Sequence, residues 1–134
     1  MATFRVRQAA ELLGVSDDTV RRWADGGRLA TTTDAAGRRT VDGVELARFA
    51  EELAAAAQPA TSARVVGGSA RNRFTGLVTK VTKDTVMAQV EIQAGPFRVV
   101  SLMSREAADE LDLKPGVLAV AAVKSTNVVV EIPE

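Results

Sequence analysis

With 134 residues the chain can form one ordinary domain or two small ones, each near the size at which a hydrophobic core is marginal. It holds no Cys and no His, which excludes disulfides, thiolate nucleophiles, imidazole catalysis and nearly all transition-metal sites. Seventeen Lys and Arg balance seventeen Asp and Glu, so no bulk positive field marks a nucleic-acid binder, and any DNA affinity must come from local placement.

A composition of 46% hydrophobic and 25% charged residues is that of an ordinary globular protein. The longest notable apolar run, residues 117–123, is too short to span a bilayer, and no basic start is followed by an apolar segment. A soluble, cytoplasmic protein is expected.

Near the start, Val6, Ala9, Ala10 and Leu13 follow the i, i+3, i+4, i+7 spacing of a helix with one buried face, and Gly14 supplies its stop. Ser16 is a favourable N-cap for a second helix. Asp17 and Asp18 stand in its first turn, Val20 and Trp23 supply its buried side, and Gly26-Gly27 ends it. Helical geometry turns Asp17, Asp18, Arg21 and Arg22 outward, where Asp18 and Arg22 could form a solvated i, i+4 pair worth only ~0.2–0.5 kcal/mol. Two short helices joined by a glycine-containing turn make a helix-turn-helix candidate.

Residues 29–33 and 38–41 are β-prone and flank Asp34-Ala35-Ala36-Gly37, a plausible hairpin with Gly at a positive-φ position. Asp42 followed by Glu45 has the form of a capping box, and Leu46, Phe49, Ala50 and Leu53 give a further buried helical stripe.

Ala9-Ala10-Glu11-Leu12-Leu13-Gly14-Val15-Ser16, Thr19-Val20-Arg21-Arg22-Trp23 and Gly27-Arg28-Leu29 together resemble the winged helix-turn-helix of excisionases and MerR-type regulators, over roughly residues 4–53. Arg5 departs from the family's frequent Thr or Ser cap. The resemblance implies a second helix in the major groove and a hairpin wing on the backbone. Ser16, Thr19, Arg21, Arg22, Arg38 and Arg39 are then the DNA-binding candidates.

Residues 58–63 break the periodicity with Pro and small polar residues, and a linker is placed at 56–66. A DNA-binding domain at 1–55 and a second domain at 67–134 follow. From Phe74 onward the period is two: Val86, Ala88, Val90 and Ile92 alternate with Met87, Gln89 and Glu91. Val78 and Val81 belong to the strand before, residues 97–103 continue the β character, and 105–111 read as one or two helical turns. A strand from Pro115-Gly116 through Val123 and another over 128–132 close the set. The expected fold is α+β: a small winged helix-turn-helix domain, then a five-stranded OB-like β-barrel with one short helix.

Ser69-Ala70-Arg71-Asn72 opens this second domain and Lys124-Ser125-Thr126 lies near its end, each where a β run begins or stops. Brought side by side they would collect a guanidinium, an ammonium, hydroxyls and backbone N–H groups. Such a cluster holds only donors and positive charge, which suits a compact oxyanion better than a metal cation, a base or a nucleophile. Five or six charge-assisted hydrogen bonds at roughly 1.5–3 kcal/mol each, less the binding costs, are sufficient for micromolar affinity, about 8 kcal/mol.

With Ser69 to Gly76, the middle stretch Glu110-Leu111-Asp112-Leu113-Lys114-Pro115-Gly116 and the closing Val123 to Val128, the chain resembles the molbindin module, also called Mop or TOBE, from about residue 69 to 132. The resemblance implies molybdate or tungstate as ligand, held by Ser69, Ala70, Arg71, Ser104, Lys124 and Ser125. It also implies sites between subunits, hence a homo-oligomer of at least two chains and up to a hexamer built as a trimer of dimers.

The leading reading is a molybdate- or tungstate-responsive transcriptional regulator and not an enzyme. A storage or buffering protein, its N-terminal domain serving assembly, is the alternative. An oligonucleotide-binding barrel is disfavoured by only two aromatics in the second domain, Phe74 and Phe97. A hydrolase lacks any nucleophile and base among these residues.

Overall fold

The computed structural model describes residues 2–57 and 67–134. Most of the linker placed at 56–66 therefore lies outside the described residues. The chain divides into two compact units, Met1–Pro59 and Ala60–Glu134.

The first unit runs β1 (Thr3–Arg5), α1 (Val6–Leu13), α2 (Asp17–Asp25), β2 (Thr32–Thr33), β3 (Arg39–Asp42) and α3 (Gly43–Ala56). Helix α1 stops at Gly14 because the chain turns there through φ 71°, a conformation glycine adopts without strain. Helix α2 starts at Ser16, whose Oγ accepts the Thr19 N–H at 3.2 Å. Strands β2 and β3 form the expected hairpin around Asp34, whose carboxylate accepts the N–H groups of Ala36 and Arg38, both at 2.9 Å.

Two features depart from the sequence reading. Strand β1 pairs antiparallel with β3, Arg5 opposite Thr40, so the wing belongs to a three-stranded sheet of order β1-β3-β2. Glu45 does not complete a capping box with Asp42. Its carboxylate instead accepts the Ala30 N–H at 2.9 Å and pairs with Arg48 at 2.7 Å, tying the loop after α2 to α3. The Arg48 hydrogen bond first, and the Ala30 N–H second, hold the Glu45 carboxyl below its ordinary range.

The predicted apolar stripes meet in one core around fully buried Val20, Leu29, Val41 and Phe49. Trp23 packs edge-on against Phe49, centroids 5.1 Å apart, and the Arg28 guanidinium lies over both rings.

The second unit runs β4 (Asn72–Lys83), β5 (Met87–Ala94), β6 (Phe97–Ser104), α4 (Arg105–Glu110), β7 (Leu118–Val123) and a single 3₁₀ turn (Ser125–Asn127). All pairings are antiparallel, in the order β6-β5-β4-β7. Strand β4 serves two neighbours in succession, its first half pairing with β7 and its second with β5, with a register break between Val78 and Lys80. That division curls the sheet.

Gly76 makes the curl possible: a Cβ there would stand 2.3 Å from the Gln93 carbonyl oxygen and 2.9 Å from Ala94 Cα. On β5, Ala88, Val90, Ile92 and Ala94 point inward as their alternation predicts, while Val86 falls in the preceding turn and is exposed. Asp84 closes that turn by accepting the N–H groups of Val86 (2.8 Å) and Met87 (2.7 Å).

The strand expected over 128–132 is not formed. These residues lie outside the four-stranded sheet, with Val129, Val130 and Ile132 almost fully exposed.

Candidate oxyanion site and nucleic-acid interface

Ser69, Ala70 and Arg71 lead into β4, and Lys124 and Ser125 follow directly from β7. The β4–β7 register sets Asn72 opposite Val123, so the two segments emerge from adjacent strands at one end of the sheet. The Asn72 side-chain amide donates to the Val123 carbonyl at 3.2 Å and fixes that junction. Ala70 is partly covered, whereas Ser69, Arg71, Lys124 and Ser125 are exposed.

Among the described residues the ion pairs of this unit engage Lys83, Arg98, Arg105 and Lys114, and Arg71 and Lys124, like Arg73 and Lys80, have no carboxylate partner. The turn Ser125–Asn127 closes with Asn127 N–H on the Lys124 carbonyl at 2.9 Å, and its first N–H groups have no partner within the turn. The segments that carry five of the six expected oxyanion residues thus leave adjacent strands at one end of the sheet.

Ser104 is the exception. It ends β6 and caps α4, its Oγ accepting the Ala107 N–H at 3.1 Å. Met87 stands opposite Ser104, and the preceding Met103 lines a cavity of about 270 Å³ together with Val120, Ala121, Ala122 and Val123 of β7. The cavity beside Ser104, about 550 Å³, is lined by Glu106, Asp109 and Glu110 with Arg105 as the cation. A hydrogen bond from Lys83, more than any other influence, holds the Asp109 carboxyl below its ordinary range. A dianion would not settle there on Ser104 alone.

In the first unit, the Ser16 and Thr19 hydroxyls bond each other at 2.9 Å, and Arg22 Nη2 donates to Thr19 Oγ1 at 3.3 Å. Both hydroxyls therefore serve the helix start. Asp18 pairs with Arg21 at 3.5 Å rather than with Arg22. On the wing, Arg39 is held by Asp25 of α2 at 3.0 Å.

A groove of about 400 Å³ runs between α2 and the wing, lined by Arg5, Arg7, Asp17, Arg21, Arg38 and Arg39. Of these five arginines Arg7, Arg21 and Arg39 pair with Glu11, Asp18 and Asp25, and Arg5 and Arg38 have no ion pair among the described residues. The groove gathers Arg21, Arg38 and Arg39 but not Arg22, Ser16 or Thr19. Arg5 and Arg7 were not among the sequence candidates. The signal that would have found Arg5 is the β-prone run Thr3-Phe4-Arg5, since pairing with β3 brings it alongside the wing.

Comparison with known proteins gives two family matches, the TOBE domain over residues 68–130 and a helix-turn-helix domain over residues 3–54. Molybdenum-pterin-binding proteins 2 and 3 of Clostridium pasteurianum are each 38% identical over 63 residues, spanning 46% of this chain and 93% of theirs. Among solved structures, a molybdate-binding protein from Sporomusa ovata is 30% identical with a TM-score of 0.48, covering 50% of this chain and 100% of that one. The cytoplasmic molybdate-binding protein ModG, crystallised with molybdate bound, is 34% identical with a TM-score of 0.47, covering 56% of this chain and 52% of that one. The chain belongs to the TOBE-domain, or molbindin, family and carries a helix-turn-helix domain ahead of that module.

Proposed function

We propose that this chain is a molybdate- or tungstate-responsive DNA-binding transcriptional regulator, not an enzyme, in which oxyanion occupancy of the second unit changes the affinity of the first for DNA. The observation that carries the reading is the Asn72–Val123 register, which brings the segments Ser69-Ala70-Arg71 and Lys124-Ser125 off adjacent strands. The molybdenum named for the relatives of the second unit supports the choice of ligand. The arginine groove beside α2 supports DNA as the partner of the first.

Each group has a role. Arg71 and Lys124 supply charge, while the serine hydroxyls and backbone N–H groups set the number and direction of donors. Fixed N–H groups matter because flexible cations alone would take sulfate and phosphate equally well. In this reading Ser104 joins the cluster from a second copy of the chain. The site is thus completed between subunits, and an assembly of at least two chains is required. Paired chains also present two helix-turn-helix units, as half-sites on DNA demand.

For the anion to regulate, it must bind the DNA-competent and incompetent arrangements with different affinities. Calorimetry with molybdate, tungstate, sulfate and phosphate tests the site. The wild type should bind the first two, and Arg71→Glu or Lys124→Glu should abolish binding; retention by both variants would refute it. An operator titration with and without molybdate tests the regulation. Unchanged DNA affinity at saturating anion would sink that claim, and anion binding with no specific DNA binding would favour a storage protein.

A further inference from the structure

From Leu53 to Lys83 the sequence carries no Asp or Glu, and none occurs from Leu113 to Val130. Strands β4 and β7, which pair with each other, both lie within these acid-free stretches, so every charge they and their flanks carry is positive. Arg71 and Lys124 belong to the oxyanion reading above. Arg73, in the same place, stands outside it.

Arg73 faces Ala122 in the β4–β7 register. Ala119 and Ala121 pack against the core, so Ala122, and Arg73 with it, lies on the outer face of the sheet. Lys124 follows Ala122 by two residues with its backbone still extended (φ −65°, ψ 144°), which keeps it on that face. Arg73 and Lys124 are thus diagonal cross-strand neighbours, at a separation of about 7–8 Å that long side chains span.

The Arg73 side chain leans toward the start of its strand. A Cβ built on Gly68 would stand 2.8 Å from Arg73 Nη2, so the guanidinium fills the space that a side chain at 68 would take. Gly68 is followed directly by Ser69, the first of the expected oxyanion residues. Among the described residues Arg73 has no carboxylate partner. Like charges placed this close repel, and a dianion between them removes the repulsion. Lys80, on the same strand, differs in having Glu91 opposite it.

We propose that Arg73 is a further oxyanion-binding residue, the third cation of the site, donating its guanidinium to molybdate or tungstate from the Gly68 side. The inference rests on the oxyanion reading and deepens it. Arg71 and Lys124 together balance a dianion; Arg73 adds one positive charge beyond that balance and strengthens the attraction felt by an approaching anion. A guanidinium also presents a planar fork, whose directed donors suit oxyanion oxygens once its position is held, and the contact at Gly68 holds it.

The test is calorimetry of the full-length protein with molybdate and tungstate, at ionic strengths of roughly 0.02 and 0.5 M, for the wild type, Arg73→Gln, Arg73→Lys and Lys80→Gln. Arg73→Gln should bind about ten- to a hundredfold more weakly, the share of one charge-assisted hydrogen bond, with the greater loss at the lower ionic strength. Arg73→Lys keeps the charge without the fork and should recover part of the loss, while Lys80→Gln should bind as the wild type does. Arg73 is exposed, so the fold, followed by circular dichroism, should not change. Wild-type affinity in Arg73→Gln overturns the proposal. So does an equal loss in both Arg73 variants that salt leaves unaltered, the mark of a packing role against Gly68, or a loss of the same size in Lys80→Gln. Failure of the oxyanion reading stays distinguishable: a wild type that binds neither anion refutes that reading and this inference with it, whereas binding that survives Arg73→Gln but not Arg71→Glu refutes this inference alone.

Discussion

The arginine groove makes a quantitative claim about DNA binding. Arg5, Arg7, Arg21, Arg38 and Arg39 line it, with Arg39 engaged by Asp25, Arg21 by Asp18 and Arg7 by Glu11. If each arginine neutralises one phosphate, the slope of log K against log salt is about −4.5 per helix-turn-helix unit, at ~0.9 per phosphate. Arg5→Ala/Arg38→Ala removes the two with no ion pair among the described residues, so the slope should become shallower by about 1.8 per unit, equally on specific and random DNA. Arg28→Ala is the control. Its guanidinium lies 5.7 Å from the Trp23 ring centroid and 5.4 Å from that of Phe49, outside the groove, so the variant should lose ~0.5–1 kcal/mol of stability and keep the slope. The assay is fluorescence anisotropy of labelled duplex between 50 and 200 mM salt, each variant checked by thermal melting. A double variant with the wild-type slope would refute the groove as the phosphate-binding surface.

Other consequences concern stability and competition. Asp25→Asn releases Arg39 from its 3.0 Å partner and removes a negative charge beside the wing, so DNA affinity at low salt should rise a few-fold, measured by the same anisotropy. Gly76→Ala forces a methyl group against backbone atoms of Gln93 and Ala94 that cannot rotate away. It should cost roughly 1–3 kcal/mol or more, visible in urea as an earlier transition of the second unit alone. Asp84 and Asp109 are both depressed below the ordinary carboxylate range, the first by the Met87 and Val86 N–H groups and the second by Lys83. Depressed carboxyls contribute stability that is fully present above their unfolded pKa near 3.9 and is lost as pH falls through the lower folded values. The second unit should therefore lose stability as pH falls below about 4, which its acid transition reports. Lys83→Met, by removing the largest influence on Asp109, should move that transition to higher pH, followed by circular dichroism.

What the sequence disclosed and what it withheld divide along the range of the interactions. Apolar spacing at Val6, Ala9, Ala10 and Leu13, the Ser16 cap and the inward alternation of Ala88, Val90 and Ile92 are local, because a helix or strand repeats its own geometry within a few residues. The approach of Ser69-Ala70-Arg71 to Lys124-Ser125 was also legible, though fifty residues separate them, since each stands at the end of a β run. Features decided by a distant partner were not. Glu45 looked like a capping residue from the spacing alone, yet the Ala30 N–H, fifteen residues back, competes for the same carboxylate and prevails. Arg5 read as a poor helix cap, while its place opposite Thr40 makes it part of the wing surface. Residues 128–132 are the limiting case: their composition specifies a strand, yet they lie outside the four-stranded sheet, because strand composition is local while pairing depends on a partner strand elsewhere.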